Sequence, residues 1–199
     1  MVTAAHPFAS CFGCTYEFAY ELADLVEVWN RDWTYEEEAA VNHWDGLLRT
    51  GHWIPLIGNS DAHNPEHAVG SPQTVVLADS LRREALLDGL RAGRSWLAES
   101  SAVQLNFTAT EGHRTAGIGE RLAVDTGTPV TFELTVSGVP GTTVRLLDQV
   151  GPEHTAEVSA TGSLTTRWTA YPRYTRWVRA EVRRAGRMVA MTNPIFLTK

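Results

Sequence analysis

Two short histidine-bearing segments carry the residue types that could hold a catalytic metal. Asp61 and His63 stand two apart in GNSDAH, so in an extended or gently turning chain both side chains leave on one side. A hard oxygen and an imidazole together suit zinc or a transition metal better than calcium. His6 precedes Pro7 in AAHPF, and the proline restricts His6 to extended geometry, which would aim a ligand from a strand end. On its own, His6 reads first as an exposed or merely hydrogen-bonded residue.

Other polar groups lie nearby in sequence. Glu27 and Asn30 close the run LVEVWN, and Asn59, Ser60 and Asn64 flank the D-x-H; all five read either as groups that orient ligands or touch substrate, or as ordinary turn and loop formers. His67 is a reserve ligand or a solvent-facing side chain. Arg94, in AGRSW, either complements an anionic substrate with its planar fork or sits against a helix dipole. Cys11 and Cys14 form a C-x-x-C pair without a second pair, so they read as reduced thiols near His6 or as an accessory metal or redox site. With no G-x-S-x-G elbow, metal-activated water is favoured over a serine nucleophile.

The elements that must position these groups can be read from periodicity. Leu25 to Trp29 is a buried strand, with one or two helical turns before it over Tyr16 to Ala23. Thr34 and Glu37 form a capping box, Val41, Trp44, Leu47 and Leu48 recur at helical spacing, and Gly51 stops the helix. Trp44 and Trp53 are core candidates, while Glu36 to Glu38 and Asp45 read as a solvated face. Trp53 to Ile57 is the next strand, and it delivers the D-x-H at its carboxyl end, where mostly parallel sheets place ligands. A strand over Gln73 to Ala78 follows. After it comes a helix capped by Asp79 or Ser80, with Leu81, Ala85, Leu86 and Leu90 as its apolar stripe and Gly93 at its end.

Beyond Leu97 the pattern changes to a period of two. Val103 to Ala109, Val130 to Val136, Thr143 to Leu147, Thr155 to Ser159, Leu164 to Trp168, Trp177 to Arg183 and Arg187 to Met191 all read as strands between turn residues. The fold expected is α/β plus all-β, divided into residues 1–98 and 99–199, the second a small β-sandwich-like domain.

Composition narrows the partners. Residues 1–98 carry 6 Arg and no Lys against 14 Asp and Glu, with five of the seven histidines. Such a half suits cations and repels a phosphate backbone, which argues against nucleic acid. Neither a membrane span nor a signal peptide is visible, so the expected location is cytoplasmic.

The order AAHPF, VEVWN, PLIGNSDAH resembles the polymerase-and-histidinol-phosphatase (PHP) superfamily of metallohydrolases, especially its carbaryl-hydrolase-like branch. GSPQTVVLADSLRREALLDGLRAGRSWLAES and the closing MTNPIF look like that branch too. The resemblance implies the C-terminal portion of a distorted β/α barrel, N-terminally truncated. It makes His6, Asp61 and His63 metal ligands, with Asp61 and His63 catalytic, around Zn, Mn or Fe. An early H-x-H pair and further ligands would precede Met1, leaving an incomplete ligand set. The implied substrate is a small-molecule phosphoester or related ester, and the exposed edges of a partial barrel imply self-association. The competing reading is a noncatalytic binding or scaffold protein. Its β-domain would contact carbohydrate or protein through the arginines Arg173, Arg176, Arg179, Arg183, Arg184 and Arg187, set among Tyr171, Tyr174 and Trp177, although alternation on an amphipathic sheet explains that interleaving more cheaply.

Overall fold

A computed structural model describes residues 1–10 and 22–199. The Cys11–Cys14 pair and most of the expected Tyr16–Ala23 turns lie outside the described residues. The chain divides into two compact units, Met1–Ser100 and Ser101–Lys199.

In the first unit, β1 (Thr3–Ala4), β2 (Leu25–Asn30) and β3 (Leu56–Asn59) form a three-stranded parallel sheet in that order. The helix α1 (Tyr35–Thr50) links β2 to β3. Thr34 caps it, with the Thr34–Glu37 capping box complete, and Gly51 ends it in the left-handed region at φ 92°. The apolar stripe buries Val41, Trp44 and Leu48, and the Trp44 indole donates to Ile54 O at 2.7 Å, tying the helix to the segment that enters β3. Glu37 and Asp45, expected on a solvated face, are both buried. Glu37 is drawn in by the cap, and Asp45 pairs with Arg49 one turn on.

The parallel pattern stops at β3, and no barrel forms among the described residues. The molecule is mostly β, 42% strand against 14% helix, with open sheets, so the expected distorted β/α barrel is not the architecture. The strands β4 (Gln73–Val76) and β5 (Ser95–Ala98) pair antiparallel, with α2 (Arg83–Arg91) between them. Leu77 N donates to Arg94 O at 2.8 Å, so the ladder closes immediately outside the helix and the helix behaves as the loop of a hairpin. That closure turns the chain back instead of adding the next parallel strand. Neither Asp79 nor Ser80 caps α2: the cap position is Arg82, without a side-chain bond, and Leu81 is 95% exposed rather than part of the stripe. Gly89 seats α2 instead, since a Cβ there would lie 2.7 Å from Leu77 O.

The second unit is all-β. One sheet runs β12 (Leu164–Ala170), β9 (Val130–Ser137), β6 (Gln104–Glu111), β7 (Arg114–Gly117), antiparallel throughout. Its alternation buries Phe107, Phe132, Leu134 and Val136. In the other, β11 (Pro152–Glu157), β10 (Thr143–Leu147), β13 (Trp177–Arg184) and β14 (Arg187–Thr192) pair antiparallel in that order. The strand β15 (Ile195–Thr198) joins β13 antiparallel and β8 (Arg121–Ala123) in parallel. The short strands β7, β8 and β15 were not expected. Among the described residues no helix is long and apolar enough to cross a membrane.

The strand β13 carries the unit's most unusual interior. Arg179, Glu181 and Arg183 alternate along one face; Arg179 donates to Glu181 Oε1 at 2.6 Å and Arg183 Nε to Oε2 at 2.7 Å. Arg145, directly opposite Glu181 on β10, stands 3.6 Å away. Burial alone would raise the Glu181 carboxyl, but the Arg179 charge and the Arg183 and Arg179 hydrogen bonds outweigh it and hold the group at about 2. A carboxyl depressed below its ordinary 4.5 contributes stability that is complete above about pH 4.5 and disappears as the pH falls through about 2. Urea unfolding followed across that window should show declining stability in the wild type. In E181Q stability should already be about 3–5 kcal/mol lower at neutral pH and nearly flat over the same window.

Candidate functional site

The three parallel strands end side by side, and each hands one candidate to the same edge. His6 lies just beyond β1, Asn30 ends β2, and Asp61 lies just beyond β3. A cavity of about 410 Å³ opens there, lined by His6, Ser10, Asn30, Arg31, Asp32, Thr34, Glu36, Glu37 and Asp61.

Beneath it sits Glu27, only 2% exposed. A β-bulge explains its direction. The β2–β3 register shifts between Glu27 and Trp29, which lets residues three apart share a face that regular pleating would split. Glu27 Oε2 accordingly accepts from His6 N at 2.7 Å and from Asn30 Nδ2 at 3.3 Å, while Oε1 accepts from Asn59 Nδ2. Asn59 then uses its own oxygen to accept from Asp61 N at 2.7 Å. Burial pushes the Glu27 carboxyl up, against the opposing effect of the His6 and Asn30 hydrogen bonds; Asp61 adds a smaller upward push.

His6 and Asp61 both have left-handed backbones, at φ 32° and 44°. The extended geometry expected of His6 before Pro7 is therefore not adopted, because its amide is held by Glu27 and its carbonyl accepts from Ala9 N at 3.0 Å. Non-glycine residues in this region cost roughly 1–3 kcal/mol each and persist only where surrounding bonds impose them. The His6 Nδ1 is buried and has no hydrogen-bond partner among the described residues.

Asp61 turns the chain sharply, so Asp61 and His63 do not project as a pair from an extended segment. His63 is 71% exposed at its side chain; its Nδ1 is 2.7 Å from Asp61 O and 3.6 Å from Asp61 Oδ1. His67 is engaged locally, its Nδ1 accepting from His63 N at 3.0 Å, with Asn64 Nδ2 at 3.1 Å from its Nε2. Asn64 and Ser60 are also loop-forming, accepting from Glu66 N and Gly70 N. Arg94 does not line the cavity. It faces Asp79 at 3.8 Å, with its Nε buried and unpartnered.

Arg31 is the residue that sequence reasoning passed over. It is the one arginine or lysine lining the cavity among the described residues. Its φ of 57° is fixed by a bond from its amide to Asn59 O at 3.1 Å and one from the Trp29 indole to its carbonyl at 3.0 Å. Its position directly after Asn30, at the strand end, was the available signal.

On the second unit, Arg173 stacks over both Tyr171 and Tyr174, at 5.3 and 4.8 Å from their ring centroids. Trp177 and Arg179, counted with them in the sequence as a binding strip, are buried.

Among the described residues no three His, Cys, Asp or Glu side chains are grouped to hold a metal ion. The residues nevertheless fit part of such a set, since His6, whose Nδ1 is buried and unpartnered among the described residues, and the carboxylate residue Asp61 line one cavity.

A family model described as PHP-associated matches residues 51–95, which include Asp61 and His63 but span under a quarter of the 199 residues. No curated protein matches the chain. A solved structure titled as an engineered protein of the Northeast Structural Genomics Consortium is 21% identical, with a TM-score of 0.28. The alignment covers 46% of this chain, which spans about 20% of the length of that one.

The floor of the site depends on close strand contact at Gly58. A Cβ there would stand 2.9 Å from Trp29 O and 3.0 Å from Trp29 Cβ, both fixed parts of β2. The substitution G58A should cost about 1–3 kcal/mol in urea unfolding by forcing the two strands apart.

Proposed function

We propose that this chain contributes part of a metal-dependent hydrolase centre of the PHP kind, acting on phosphoesters or related esters. The observation that carries the reading is that His6, whose buried Nδ1 lacks a partner among the described residues, lines one cavity with Asp61 at the carboxyl ends of three parallel strands. A buried nitrogen without a hydrogen bond is costly, and a metal ion is one partner that removes the cost. The PHP-associated match over residues 51–95 supports the lineage.

In this reading His6 and Asp61 hold the cation, and His63 joins them by turning its exposed side chain inward. A bound Zn, Mn or Fe ion would supply an activated water and polarise the ester oxygen. Arg31 places a planar, permanently charged donor fork on the cavity wall, suited to a phosphoryl oxygen. Asn30 and Asn59 hold Glu27 in place beneath the cavity, and Thr34 and Glu37 fix the start of α1 beside it. A carbaryl-type branch would favour neutral esters, whereas Arg31 favours anionic ones.

Titration calorimetry of the full chain with Mn(II) or Zn(II) tests the centre. Binding should be measurable and weaken at least tenfold in both H6A and D61A, with H154A in the other unit unaffected. Failure of the wild type to bind either ion would overturn the reading. With metal present, R31A should weaken binding of inorganic phosphate at least tenfold in the same calorimetry while leaving metal binding within twofold.

A further inference from the structure

We propose that Glu27 is a positioning residue whose single buried carboxylate sets the backbone of both His6 and Asp61, coupling two strand ends through Asn59. Its importance for metal binding rests on the reading above; the coupling itself does not.

The geometry is directional. One carboxylate oxygen holds the His6 amide directly, and the other takes the Asn59 amide. Asn59, oriented by that bond, presents its oxygen to the Asp61 amide. Asp61 makes no hydrogen bond to Glu27, yet its left-handed φ depends on which way the Asn59 amide faces. The β2 bulge that follows Glu27 brings Asn30 within reach of the same carboxylate. Two strained residues on different loops thus answer to one side chain.

A carboxamide cannot replace this carboxylate. If the oxygen of a glutamine faces His6, its amino group faces the Asn59 amino group, and Asn59 must flip; the flip removes the acceptor from Asp61 N. In the opposite orientation the amino group opposes the His6 amide. One of the two ends is lost either way.

Amide hydrogen exchange measured by NMR on the full chain without metal tests the coupling. In E27Q, the exchange of at least one of the His6 and Asp61 amides should accelerate tenfold or more. In N59A, Asp61 should accelerate while His6 stays within twofold of wild type. Should E27Q fail to fold, E27D carries the same test: it keeps the charge but is one bond too short to span both ends. Both amides within twofold of wild type in the folded Glu27 variant, or His6 accelerating with Asp61 in N59A, would overturn the inference. Mn(II) titration of the same samples separates the two ideas. Coupled exchange with at least tenfold weaker Mn(II) binding in the variant supports both. Coupled exchange in a chain that binds no Mn(II) retains the positioning role and discards the metal centre. Uncoupled exchange with normal Mn(II) binding does the reverse.

Discussion

A carboxyl group nearly sealed from water must find donors, and Glu27 finds them on three segments that meet only in the folded chain. Its partners are the backbone leaving β1, the end of β2 and the end of β3. The cost of burying this group is offset only if all three are in place, so the satisfied carboxylate and the aligned strand ends specify each other. The His6 amide is tied to this carboxylate directly, the Asp61 amide through the Asn59 side chain, and the Arg31 amide to the Asn59 carbonyl.

How much of this could be read in advance divides along the range of the interaction. The helix α1 was legible from Thr34 to Gly51 because capping and helical spacing are local, and β2 because an apolar run ended by Asn30 is local too, whereas the strand expected over Trp53 to Ile57 is displaced to Leu56–Asn59. The bulge in β2 was not legible, since it is a property of the ladder with β3 rather than of LVEVWN itself. For the same reason the meeting of Glu27 with Asn30, three residues on, had no sequence signature. His6 was misjudged because the steric preference before Pro7 is weaker than one tertiary hydrogen bond to Glu27 combined with the local turn bond from Ala9 N. The direction of β5 was also hidden, because helical spacing between two strands does not distinguish a crossover from a hairpin whose loop is helical.

In the second unit, alternation located the long strands but misassigned the arginines of β13. Arg179, Glu181 and Arg183 look like an outward polar face, yet Arg179 and Glu181 are both 2% exposed and neutralise one another in the interior. Charge alternation marks a sheet face without saying whether solvent lies on it, and only the register with Arg145 on β10 reveals the enclosure. An ionic interior of this kind adds directional demands that a purely apolar layer lacks, because each guanidinium must reach a carboxylate oxygen at a fixed angle.

The hydroxyl of Thr74 accepts from Gly58 N at 3.0 Å and donates to Gly58 O at 2.6 Å, engaging both main-chain groups of one β3 residue. A single side chain thereby imitates a rung of a neighbouring strand. At that rung nothing remains to template the docking of a foreign peptide, so the border of the parallel sheet is sealed there by one small alcohol rather than by more backbone.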